Sequence, residues 1–195
     1  MTKIARAAAM ALVAGALAAC AKKDAAADHN SAVAARASVA GTSATPSALT
    51  DANILAILDA ANASDSAWGA IAAVKGTSAD IRNFGKTTMR DHHALRQAGQ
   101  ELAKKLGVAA QLPAGDNSAA ELQKYVDLFN NTAKGKEFDR AYIEHEVAYH
   151  KQVLATAVRA MPASQSTELK NLIQKAAPSI QSHLDAAEAI QQKMR

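Results

Sequence analysis

The chain has 195 residues, room for one domain of ordinary size plus a tail, and its 21% charged and 49% hydrophobic content is that of a globular protein. Fifty of those residues are alanine, so a core made of large side chains is excluded and the mean hydropathy stays at -0.11. Aromatics at 4%, with 9 glycines and 4 prolines, argue against a β-sandwich or barrel, and a net charge of +4 scattered among acids implies no nucleic-acid partner.

Residues 1–19 read as a lipoprotein signal peptide: Lys3 and Arg6 precede the apolar run Ala7 to Ala19, which is too short to span a membrane permanently. Leu17-Ala18-Ala19-Cys20 resembles the bacterial lipobox, in which the thiol is acylated and cleavage leaves the cysteine as the lipidated first residue. The alternative is a free thiol beside an ordinary cleavage site. Cys20 is the sole cysteine, so no internal disulfide can form and stability must come from packing. Ala21, where an acidic residue would signal retention, resembles the sorting pattern of lipoproteins sent to the outer membrane. The expected address is therefore the outer membrane, facing the periplasm, with the lipid anchor making the membrane itself a partner. Loss of Lys3 and Arg6 on cleavage lowers the charge from +4 to +2, which points to no protein partner in particular.

From Ala21 to about Thr50 the residues are small or polar and could bury no face, so residues 20–50 read as the lipidated cysteine and a disordered, alanine-rich tether. Its coil span is on the order of 30 Å. The folded domain is expected over residues 51–195. A first helix opens at Thr50 or Asp51, carries Ile54, Leu55, Leu58, Ala61, Trp68 and Ile71 at helical spacing, and ends at Gly76. A second starts after Ser78, with Asp80 in its first turn and Ile81, Phe84, Thr88, His92, Leu95, Leu102 and Leu106 on one face, and closes at Gly107. Ser118 and Glu121 have capping-box spacing ahead of a short helix with Leu122, Tyr125, Val126 and Phe129. A third long helix spans about Glu137 to Met161, with Phe138, Tyr142, Ile143, Val147, His150, Leu154 and Val158, and Pro162 just beyond it. The fourth, from about Ser166, carries Leu169, Leu172, Ile173, Ile180, His183, Leu184, Ala187 and Ile190; Pro178 inside it must either bend the helix or divide it. Four long helices with short links predict an all-α, up-down four-helix bundle with a short extra helix between helices two and three.

Chemistry concentrates at three histidines on these apolar stripes. His92, His150 and His183 each lie mid-helix, so antiparallel packing would bring them to one level, and helix one would place Ser64 or Asp65 nearby. Asp91 adjoins His92, Glu146 is one turn before His150, and Asp139 is three turns before it on the same face. Imidazole nitrogens and carboxylate oxygens on facing helices are the means by which bundle cores hold transition metals. The candidate metal ligands are accordingly His92, His150, His183, Asp139 and Glu146, with Asp91 and Tyr142 as orienting partners. The alternative is a buried polar network in which Tyr142, Thr88 and Asp139 satisfy the rings and no metal binds. His93 and His145 are expected toward solvated flanks.

Asp91-His92, the segment Phe138-Asp139-Arg140-Ala141-Tyr142 with Val147 and His150, and Pro178 to His183-Leu184 with Ala187 resemble a bacterial envelope family. It is the domain-of-unknown-function family numbered forty-one forty-two, often labelled outer-membrane protein and grouped with ferritin-like bundles. The resemblance covers about Asp51 to Met194. It implies a ferritin-like four-helix bundle and singles out Asp91, His92, Asp139, His150 and His183 as recurring polar positions; it implies no established activity. Thr88 stands where the family usually has methionine, and Tyr149 precedes His150 where an acidic residue is common.

The di-iron carboxylate plan needs a Glu-x-x-His pair on each of two helices, and neither His92 nor His183 has a carboxylate three residues earlier. A single metal remains, and neutral imidazole favours Zn, Cu or Ni over Mg or Ca. No nucleophile elbow, phosphate loop, His-Glu-x-x-His or dinucleotide fingerprint occurs. Two readings of different kind therefore stand, a periplasm-facing metal-binding lipoprotein and a structural or protein-interaction module of the envelope. An enzyme is the weakest of three.

Overall fold

The computed structural model describes residues 49–195; the stretch read as a signal peptide, Cys20 and nearly all of the stretch read as a tether lie outside the described residues. The described chain is helical without a strand: α1 (Asp51–Lys75), α2 (Ala79–Leu106), α3 (Ser118–Asn131), α4 (Lys136–Ala163) and α5 (Thr167–Lys193). The ends follow local chemistry. Thr50 and Asn53 satisfy each other's backbone N–H groups in a capping box, Ser78 and Ser166 accept from the amides of Ile81 and Leu169, and Gly107 adopts the left-handed conformation (φ 64°) that ends α2. At α3 the expected capping box does not form: Asn117 is the N-cap with no side-chain bond, and Ser118 turns back to donate to Asp116. α4 continues through Pro162 to Ala163, because a missing donor in the last turn removes only one bond. α5 likewise remains one helix through Pro178, which neither divides it nor displaces its buried face.

Side chains that bridge helix ends define the directions. Lys193, at the end of α5, reaches Asp80 at the start of α2 (2.8 Å). Asp51, at the start of α1, meets the α4–α5 link, and Asp139, at the start of α4, meets the α1–α2 link. α2 and α4 thus begin at the same end and run in the same direction, where simple up-down alternation was expected. The connection of residues 107–135 accounts for this difference. It starts beside the beginning of α1, where the Gln111 amide donates to Ala52 O, and α3 carries it back to the far end, where Lys75 donates to the carbonyls of Phe129 and Asn130. A 14-residue helix covers about 21 Å, so α3 makes this link a crossover rather than a tight turn.

The two aspartates make matching caps at opposite ends. Asp51 accepts from the Ser164 hydroxyl (2.7 Å) and from the amides of Gln165 and Ser166 (both 2.9 Å). Asp139 accepts from the amides of Thr77 (2.9 Å) and Ser78 (3.2 Å) and from the Thr77 hydroxyl. Each carboxylate holds the N-terminus of a neighbouring hairpin's second helix, where the helix dipole favours negative charge. Asp139→Ala should therefore cost about 2 kcal/mol, from charge-assisted bonds to orphan amides. Urea denaturation measures it, and a loss below about 0.5 kcal/mol would contradict the role, that being the scale of a neutral surface change.

α1 and α2 touch backbone to backbone. A methyl group on Gly69 would lie 2.6 Å from Thr88 Oγ1 and 2.7 Å from Gly85 O, and one on Gly85 would lie 2.7 Å from Gly69 O. Only glycine at both positions lets the seam close. The few large side chains are concentrated: all three phenylalanines, all three tyrosines and the single tryptophan gather in one cluster around Trp68, Phe129 and Tyr142. A second, aliphatic cluster of Ile54, Leu55, Leu169 and Ile173 fills the other end. An alanine-rich chain thus forms a conventional aromatic core at one end only, and a polar layer lies between the two clusters.

Candidate metal centre

All four long helices contribute to that layer. Asp65 comes from α1, His92 from α2, Glu146 and His150 from α4, and His183 from α5; the first four are 0–1% exposed and His183 is 4% exposed. The three imidazoles form a near-equilateral triangle, with ring centroids 5.3, 5.5 and 5.5 Å apart. One nitrogen from each ring lies within 4.8 Å of the others, and His150 also joins Asp65 and Glu146 in a second set of the same compactness.

Each ring is held by one nitrogen. His92 Nδ1 meets Asn62 Oδ1 at 2.8 Å, His150 Nδ1 donates to the Glu146 carbonyl at 2.9 Å, and His183 Nε2 meets Asp91 Oδ2 at 3.0 Å. The other nitrogen of each, His92 Nε2, His150 Nε2 and His183 Nδ1, has no hydrogen-bond partner among the described residues, and neither has any carboxylate oxygen of Asp65 or Glu146. Buried polar atoms without partners are rare, and several gather here, with Glu146 Oε2 3.4 Å from His150 Nδ1. Asp65 Oδ2 lies 3.2 Å from His92 Nε2 and 3.6 Å from His150 Nε2.

The electrostatics suit a cation. Burial, reinforced by the neighbouring imidazoles, lowers His92 to about 3, and burial lowers His150 to about 4, so both rings are neutral at ordinary pH. Burial raises Asp65 to about 7. Burial and then the charge of Asp65 push Glu146 well above the carboxylate range, and burial with those same carboxylates raises Tyr142 well above its usual 10. Two desolvated carboxylates side by side call for positive charge between them.

A family model for a domain of unknown function, DUF4142, matches residues 32–190. The chain belongs to that family. The match reaches back to residue 32, into the stretch read as tether. No curated protein and no solved structure matches. No helix among the described residues is long and apolar enough to cross a membrane.

Within this DUF4142 domain the structure sorts the predicted residues. His92, His150, His183 and Glu146 come together, and Asp91, noted in the sequence for its place beside His92, bonds His183 instead. Of the two α1 candidates, Ser64 and Asp65, it is Asp65 that enters the cluster. Tyr142 approaches Thr88 (3.5 Å) one turn from Glu146. Asp139 does not belong: its oxygens are engaged at Thr77 and Ser78, at the end of the bundle. His93 is exposed as expected, but His145 is buried, stacked on Tyr125 (centroids 3.6 Å) and edge-on to Trp68 (4.4 Å), because α3 covers the flank on which it lies. Asn62 was missed; its place on α1 four residues after Leu58 and three before Asp65 was the available signal.

Proposed function

We propose that this DUF4142 chain is an envelope lipoprotein whose ferritin-like bundle binds one divalent transition metal through His92, His150, Asp65 and Glu146, with His183 beside them. One observation carries the reading: lone-pair nitrogens of two rings and an unpartnered carboxylate oxygen converge at 3.2 and 3.6 Å. Ligands about 2.0–2.2 Å from a tetrahedral zinc lie about 3.4 Å apart, so the spacing matches the edges of such a site. Asp65 and Glu146 together balance a charge of two, and imidazole directs the choice to Zn, Cu or Ni. The ferritin-like form is supported by the parallel α2 and α4 joined through a crossover. Outer-membrane attachment through Cys20, facing the periplasm, is supported by the residues from Leu17 to Ala21 alone.

The competing reading, a structural or interaction module with a metal-free polar network, has one observation in its favour: Asp65, raised to about 7, can keep a proton that occupies the cation's place. The test uses the chain from Ala21, purified without a metal-binding tag, by elemental analysis and by melts with added Zn, Cu, Ni, Mn and Fe. A site at a hundredfold excess over its Kd adds about 2.7 kcal/mol, roughly 5–10 °C in Tm. Trp68, the only tryptophan, lies one turn from Asp65 and is a built-in reporter whose fluorescence Cu or Ni should quench. The shift and the quenching should vanish together in a His92→Ala, His150→Ala double variant. Overlaid melts and no stoichiometric metal would leave the polar-network reading.

A further inference from the structure

We infer that Asn62 is a positioning residue that fixes the tautomer of His92 and so keeps its Nε2 lone pair turned toward the metal position; the inference rests on the metal-binding reading above. A neutral imidazole has one N–H and one lone pair, and which nitrogen carries the hydrogen is set by what the other one meets. The orientation of the Asn62 amide is itself determined. Its Nδ2 donates to the Leu58 carbonyl at 2.7 Å, one turn back on α1, so the atom facing His92 Nδ1 at 2.8 Å is the oxygen Oδ1.

An amide oxygen only accepts, so Nδ1 carries the hydrogen and Nε2, 3.2 Å from Asp65 Oδ2, is left as a lone pair. Without Asn62 the other tautomer gains: Nε2–H would donate to Asp65, turning the ligand nitrogen into a donor and closing the site. The other two rings are held differently, His150 by a backbone carbonyl that no substitution removes and His183 by the part-exposed carboxylate of Asp91. Asn62 is thus the one neutral side chain among the three anchors. A buried neutral amide sets the tautomer without adding a third carboxylate to Asp65 and Glu146.

The experiment compares the full chain with Asn62→Ala and Asn62→Asp, each labelled with 15N at histidine. Long-range NMR correlations read the tautomer in the metal-free state, and titration with Zn reads Kd. The wild type should carry the hydrogen of His92 on Nδ1, and Asn62→Ala should move it to Nε2 and weaken Zn binding about 10- to 100-fold, the usual effect of removing a partner behind a metal ligand. Asn62→Asp, which keeps an acceptor toward Nδ1 while giving up the bond to the Leu58 carbonyl, should retain Nδ1–H. Nε2–H in the wild type overturns the inference even if Zn binds, and so does an unchanged Kd in Asn62→Ala. Nδ1–H in the wild type with no Zn bound removes the proposed function and the positioning role with it, while the tautomer assignment stands.

Discussion

Asp65→Asn should stabilise the metal-free chain, by nothing near pH 3 and by up to about 4 kcal/mol above pH 7. The sign follows from proton binding. Asp65 is raised from 3.8 to about 7 by burial, so between those values the unfolded chain has released a proton that the folded chain still holds. Stability then falls with rising pH by about 1.4 kcal/mol per unit until the folded group ionises. Asparagine has nothing to ionise, so the difference between the chains grows across this window and then levels off. His92, His145 and His150, lowered by burial to about 3, 4 and 4, act in the opposite direction, removing stability as pH falls below 6.5. They do so in both chains and cancel, whereas Glu146, pushed up partly by the charge of Asp65, is raised less in the variant and widens the difference in the same direction. Urea denaturation with a chelator at pH 4, 5.5 and 8 measures the difference; one that is flat, or that shrinks toward pH 8, would refute the role of Asp65. With Zn present the order should reverse, because the residue that weakens the empty fold is the one proposed to hold the ion. Retaining a destabilising carboxylate is the expected trade between stability and function.

Trp68→Ala should be the most damaging single truncation, costing about 3–5 kcal/mol. The indole is fully buried, contacts Tyr125, His145 and Tyr149 at centroid distances of 5.6, 4.4 and 4.8 Å, and donates from Nε1 to the Leu122 carbonyl at 3.3 Å. Two of these contacts, Tyr125 and Leu122, lie on α3, so the loss falls first on the docking of that helix. Amide exchange should therefore accelerate in residues 118–131 before it does in α5, and Trp68→Phe should recover most of the packing but not the hydrogen bond. Uniform loosening of all five helices would place the weight of the core elsewhere.

Much of this was legible in advance because helix signals are local. Ser78, Gly107 and the stripes of isoleucine, leucine and phenylalanine lie within a few residues of the bonds and faces they determine. The same periodicity placed His92, His150 and His183 on buried faces at mid-helix, and Glu146, one turn from His150, followed with them. It misplaced Asp139 for a physical reason: eleven residues return to the same stripe of a helix but rise about 16 Å along it, so a shared face is not a shared layer. Asp139 consequently meets the α1–α2 link, not the histidines.

By itself, then, the sequence determined five helices, the caps at Thr50, Ser78, Gly107 and Ser166, and most of the inward faces, since each depends on contacts within about one turn; the α3 cap and Val158, which is 74% exposed, departed from it. The tertiary structure alone decided that α3 is a crossover making α2 and α4 parallel, that it covers His145, and that Asp65 and Asn62 on α1 face His92. Those depend on which faces meet and at what height, and the glycine seam at Gly69 and Gly85 brings α1 close enough to α2 for them to meet.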